Sequence, residues 1–170
     1  MKTSSSDLHS PPVPRLKPTG GLRVPVENLG TLPLFANLSA DFLGLVSQHA
    51  RYAHFSPGHV LLSQGEIPES LFVILTGHAR VDCNMPDIRL PIGEFGPGDV
   101  LGFSWLFAPQ KVQFNVRAAE EITAVVISGS ALREICETDS ASGYQVAVRM
   151  GHELLKRLHA LVAKVGGETP

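Results

Sequence analysis

The chain has no long apolar run and almost no excess of charge of one sign. No stretch approaches the roughly 20 consecutive apolar residues that cross a bilayer, so no membrane-spanning helix is expected. A formal net charge of -2 lacks the broad basic footprint that nucleic acid or an anionic membrane requires, and neither is expected as a partner. Cysteine is scarce: Cys83 and Cys136 lie far apart and belong to no C-x-x-C pair. No apolar segment follows Met1–Asp7 to serve as an export signal, so two unpaired buried thiols and a cytoplasmic location are expected, with a single disulfide as the alternative.

What is present changes character along the chain. Residues 1–27 carry Pro11, Pro12, Pro14, Pro18 and Pro25, with Ser4–Ser6 and the Gly20-Gly21 pair. Proline fixes φ and removes donors, and few large apolar residues accompany it, so this segment reads as a disordered or extended arm. Its Pro-Pro-x-Pro run at 11–14 is a weak partner-binding signal. Leu34, Phe35, Leu38, Phe42, Leu45 and Val46 then recur at helical spacing, with Ser39 placed as an N-cap.

From Ala50 to Ile127 short β-rich runs alternate with turn residues, which predicts an antiparallel sandwich or barrel-like roll. Helical spacing returns from about Ser130 to Val165. On a wheel of about 100° per residue, Ala147, Met150, Leu154, Leu155, Leu158, Leu161, Val162 and Val165 share one side. Arg149, His152, Glu153, Lys156, Arg157, His159 and Lys164 share the other and read as a solvated face. The apolar arc is wider than a coiled-coil seam, so the helix is expected to cover the roll and also to pack on a second copy or a protein partner. Packing wholly within one chain is the alternative. The expected division is an arm at 1–27, one domain at 28–165 and a tail at 166–170.

Phe55-Ser-Pro-Gly58, Gln64-Gly65-Glu66, the apolar run Leu71–Leu75, Gly77-His-Ala-Arg-Val81 and Gly96-Pro-Gly98-Asp99-Val-Leu-Gly102 follow one another in order. Together with Leu32-Pro-Leu-Phe35 they resemble the cyclic-nucleotide-binding domain of Crp/Fnr-type regulators, kinase regulatory subunits and gated channels, over about Leu29–Val165. The resemblance implies an α+β fold, a jelly-roll-like β-roll with a short N-terminal and a long C-terminal helix. Gly58, Gly77 and Gly98 fall where tight turns need positive φ or have no room for Cβ. At Gly102 the resemblance implies a turn whose backbone N–H groups face a cyclic phosphate.

Two charged anchors implied by the resemblance are missing. The Glu expected after Gly102 is Phe103, and the Arg expected before the Val116-Arg117-Ala118 strand is Val112, followed by Gln113. Lys111 lies one residue away, and strand alternation would turn it to the other side. Charge-assisted hydrogen bonds contribute about 1.5–3 kcal/mol each, so a cyclic nucleotide should bind weaker by orders of magnitude. The candidate ligand-binding residues are Gly102, Phe103, Ser104, Trp105, Val112, Gln113 and Phe114, with Phe107 adding to an apolar pocket. The occupant expected is a cyclic mononucleotide or a less anionic small molecule. The G-F-S-W-L-F…F-N-V-R-A pattern is also similar to short stand-alone bacterial proteins of this family, some encoded beside redox enzyme subunits. Arg117 is expected to form a structural ion pair with Glu120 or Glu121.

Catalytic and metal chemistry is not signalled. A cupin-type metal site needs a His-x-His pair, a nearby Glu and a further His. His54 and His59 are split by a turn, His78 stands alone, and His152 and His159 lie about 10.5 Å apart along a helix. No nucleophile elbow or Walker loop occurs. Only five residues follow Val165, too few for a recognition helix. The sequence therefore predicts a non-catalytic regulatory sensor without a DNA-binding domain. The alternative is a pseudo-sensor subunit of a larger, redox-type enzyme complex that binds no nucleotide; a cupin-like enzyme is the remote one.

Overall fold

A computed structural model describes residues 21–86, 88–104 and 111–166, with side chains as far as Ala163. The fold is the expected α+β roll. Helices α1 (Val26–Gly30) and α2 (Ala40–Gln48) precede strands β1 (Ala50–Phe55), β2 (Val60–Leu62), β3 (Ser70–Thr76), β4 (Ala79–Asn84), β5 (Arg89–Phe95), β6 (Val100–Leu101), β7 (Asn115–Ala118) and β8 (Ile122–Ser128). Helices α3 (Gly129–Thr138) and α4 (Ser140–Gly166) follow. No helix among the described residues is long and apolar enough to cross a membrane.

The strands form two antiparallel four-stranded sheets, ordered β1-β8-β3-β6 and β2-β7-β4-β5. The continuous apolar sequences of β3 and β8 have a structural cause: both faces of their sheet are covered. Leu71, Val73, Val125 and Ile127 face a core shared with the helices, whereas Phe72, Ile74, Ala124 and Val126 face a second core between the sheets. Val81 and Val116, paired across β4 and β7, close that second core from the opposite sheet.

The turns behave as their residues demand. Gly58, Gly77 and Gly98 have φ of 85°, 79° and 89°. At Gly77 a Cβ would also lie 2.2 Å from the Glu121 carbonyl oxygen, so only glycine fits. Ser39 caps α2 by accepting from the Phe42 N–H at 3.1 Å. Leu34, Phe35 and Leu38 are buried as expected but lie in turns ahead of α2 rather than in a helix. Val24 is fully buried and Tyr52 N–H donates to the Leu22 carbonyl at 2.9 Å, so residues 22–27, read from sequence with the arm, pack onto the fold.

The C-terminal helical stretch is two helices. Asp139 breaks it and caps α4, its carboxylate accepting from the Ser142 N–H at 3.1 Å and the Ser142 hydroxyl at 2.6 Å. Gly143 lets the corner close, since a Cβ there would lie 2.4 Å from the Cys136 carbonyl oxygen. Val146 and Met150 anchor the first half of α4 in the helical core. Cys83 and Cys136 are free thiols, half-buried rather than buried. Burial, aided by Asp139 and Glu137, pushes the Cys136 thiol up to about 11.

Candidate functional site

The second half of α4 does not seat on the sheets. It spans a cavity of about 830 Å³, within the range of about 300–1,000 Å³ usual for small-molecule sites. The other walls are the inner side of β5, the turn leaving β6 at Gly102–Ser104, and the segment 111–114 ahead of β7. The lining is mostly apolar, with Leu62, Val81, Ile92, Phe95, Leu101 and Phe114 contributing from the roll.

Gly102, Phe103, Ser104, Val112, Gln113 and Phe114 all line this one cavity, although seven residues of chain separate the two groups. Trp105 and Phe107 lie outside the described residues. Gly102 has φ 78°, and a Cβ there would lie 2.4 Å from the Ser70 carbonyl oxygen. That close approach to β3 requires glycine and sets where the turn points. Phe103 follows, packing against the helical core on one side and the cavity on the other.

Val112 is buried in the core between the sheets. Its N–H donates to the Glu66 carbonyl and its carbonyl accepts from Gly65 N–H, both at 2.8 Å. Segment 111–114 is not part of the regular strand, which begins at Asn115. Strand alternation therefore does not separate its side chains, and Lys111, expected on the far side, lines the cavity too. Gln113 turns back on its own segment, its side-chain amide donating to the Lys111 carbonyl at 3.0 Å.

One cavity residue was assigned elsewhere from sequence. Arg157, read as part of a solvated basic face, turns its guanidinium into the cavity. It lies 4.4 Å from the Phe95 ring centroid and 5.0 Å from that of Phe103. It donates to the Val100 carbonyl. Its buried Nε has no hydrogen-bond partner among the described residues. Burial pulls its pKa down, while the charges of Asp99 and Glu153 act the other way. Guanidinium nonetheless stays charged at any ordinary pH. The available signal was the wheel: Arg157 sits about 20° from Met150, which is buried in the helical core.

The remaining candidates are structural. Arg117 does not pair with Glu120 or Glu121; it donates to the Gly58 carbonyl at 2.8 Å, and Glu120 pairs with His78 at 2.6 Å. His54 Nδ1 lies 3.1 Å from the Thr123 hydroxyl. Among the described residues no group of three or more His, Cys, Asp or Glu could hold a metal ion.

Comparison with known proteins follows this geometry. The profile of the cyclic nucleotide-binding domain matches residues 52–139, from β1 to the α3–α4 corner and across the cavity-forming turns. The CRP-like cAMP-activated global transcriptional regulator of Mycobacterium tuberculosis is 24% identical over 108 residues, 63% of this chain and 48% of that protein. The chain thus spans about half the length of that curated relative. A cyclic nucleotide-binding domain from Methylobacillus flagellatus has a TM-score of 0.71 at 20% identity, covering 85% of this chain and 82% of that one. The regulatory subunit of a cAMP-independent protein kinase A from Trypanosoma cruzi, bound to guanosine, has a TM-score of 0.64 at 20% identity, covering 84% of this chain and 48% of that one. With more than half of its length matched by that profile, the chain belongs to the cyclic nucleotide-binding domain family.

Proposed function

We propose that this chain is a non-catalytic, cytoplasmic regulatory module that senses a small ligand in the cavity and reports it through α4. The observation that carries this reading is the double use of one helix. Leu154, Arg157, Leu158 and Leu161 form a wall of the cavity. Tyr144, Val148, Gly151, Leu155, Leu158 and Val162 recur at alternating spacings of four and three along the outward side. Tyr144, Leu155, Leu158 and Val162 are 72%, 52%, 54% and 61% exposed, a coiled-coil seam without a partner among the described residues. A Cβ at Gly151 would meet nothing within 4 Å, so a second helix has room to approach there. A homodimer built on this seam would feel any shift of α4 that a ligand causes.

The phosphate-binding turn is degenerate in this reading. Phe103 and Val112 stand where the family resemblance implies an acidic and a basic anchor, so cyclic mononucleotides are poor ligands. The guanosine bound by the trypanosomal protein fits a cavity of this fold serving a ligand without a phosphate. Calorimetric titration with cyclic AMP, cyclic GMP and cyclic dinucleotides tests the point. Weak or absent binding of the mononucleotides is expected; micromolar binding would refute a degenerate turn. The same two substitutions favour a second reading, a pseudo-sensor subunit of a larger, redox-type enzyme complex that binds no nucleotide.

A further inference from the structure

We propose that the cavity takes a small monoanion with a large apolar body, and that Arg157 on α4 is its counter-charge. The inference rests on the ligand-sensing reading above and names the ligand class. An arginine turned into an apolar space loses hydration that a single carbonyl and two aromatic faces replace only in part. No carboxylate forms an ion pair with it among the described residues. Asp99 accepts instead from the Gly96 N–H at 2.7 Å, and Glu153 lies 4.0 Å from the Lys156 ammonium. The buried Nε has no hydrogen-bond acceptor among the described residues. Such a site is electrostatically incomplete, and an incoming carboxylate or other singly charged group completes it.

The walls set the rest of the ligand. They are mostly apolar, with Ser104 and Gln113 as the uncharged polar residues, Lys111, an exposed residue, as the other cation, and Glu94 as the one acid among the lining residues described, its carboxylate 3.5 Å from Arg80 Nε and exposed. One half-buried positive charge matches one negative charge, and the remaining volume suits hydrocarbon or aromatic groups. Against the anchors implied by the family resemblance, the positive charge has moved from the turn segment to the helix. Ligand charge would then act directly on the element that carries the outward seam.

The test uses the full chain and two probes that share one aromatic body, naphthaleneacetate and the uncharged naphthaleneethanol. Both are titrated by calorimetry into wild type, Arg157→Gln, Arg157→Lys and Lys111→Gln. Wild type and Lys111→Gln are expected to bind the acid about tenfold to a hundredfold more tightly than the alcohol. Arg157→Gln is expected to bind the two equally, and Arg157→Lys to keep part of the preference. The preference is a ratio within each protein, so a general loss of stability cannot imitate its disappearance. Equal binding by wild type, or a preference that survives in Arg157→Gln or vanishes in Lys111→Gln, overturns the assignment of Arg157 while leaving a ligand cavity standing. Absence of binding by both probes and by the cyclic nucleotides overturns the ligand-sensing reading, and this inference with it.

Discussion

Gly102 shows how one residue can be required by the fold and by the site at once. Its positive φ and its approach to the Ser70 carbonyl leave no space for a side chain, and the same turn forms one wall of the cavity. Gly102→Ala is therefore expected to lower stability by about 1–3 kcal/mol, read from the denaturant midpoint. Asp82 is a second residue whose environment is measurable. Arg89 bonds its carboxylate at 2.5 Å and holds it below the usual carboxylate range, against the opposing effect of burial and with help from Asn115 at 3.0 Å. A lowered folded-state value means stability that is full above the unfolded value, near pH 3.9, and lost as the pH falls through the lowered one. Asp82→Asn should cost about 1–2 kcal/mol at neutral pH, and the gap should shrink as melting curves are taken towards pH 3. The turn glycines were legible in the sequence because positive φ is a demand a single residue type answers. Arg157 was not. A charge on a helix reads as solvated until the other wall of its cavity is known, and that wall lies over fifty residues upstream, at Phe95 and Phe103.

Strands β3 and β8 could be read from sequence because both their faces are buried, so their apolar runs are unbroken. Strand β6, with two residues, is too short to carry a period, and the break between α3 and α4 is a single residue, Asp139, with no proline to mark it. The wide apolar arc of α4 resolves into two faces. Met150, Leu154 and Leu161 turn towards the roll, and Tyr144, Val148, Leu155 and Val162 turn away. Leu158 lies between and touches both roles, so a charge there would disturb cavity and seam together. Leu155 lies on the outward side and does not line the cavity. Leu155→Asp is therefore the cleaner variant. Sedimentation should show wild type as a dimer and Leu155→Asp as a folded monomer at the same concentration. A monomeric wild type would remove the seam.

At the scale of the whole molecule, the first half of α4 belongs to the helical core through Val146 and Met150, whereas the second half bridges a cavity. Stability should divide along the same line, since few buried contacts hold the second half. In hydrogen exchange, amides beyond Gly151 are expected to exchange faster than those of α3 and the start of α4. A ligand that closes on Arg157 and a second copy that packs on Leu155 would both order this same half-helix. Two events that order one element are coupled, and the coupling is reciprocal: whatever factor the ligand adds to dimer affinity, the dimer adds to ligand affinity. Naphthaleneacetate should therefore slow exchange beyond Gly151, and bind wild type more tightly than it binds monomeric Leu155→Asp. Its affinity for wild type should rise as protein concentration passes through the dimer constant, and its affinity for Leu155→Asp should not change with concentration. An acid that binds both proteins equally would show that the two faces of α4 work independently, and that the helix does not transmit occupancy.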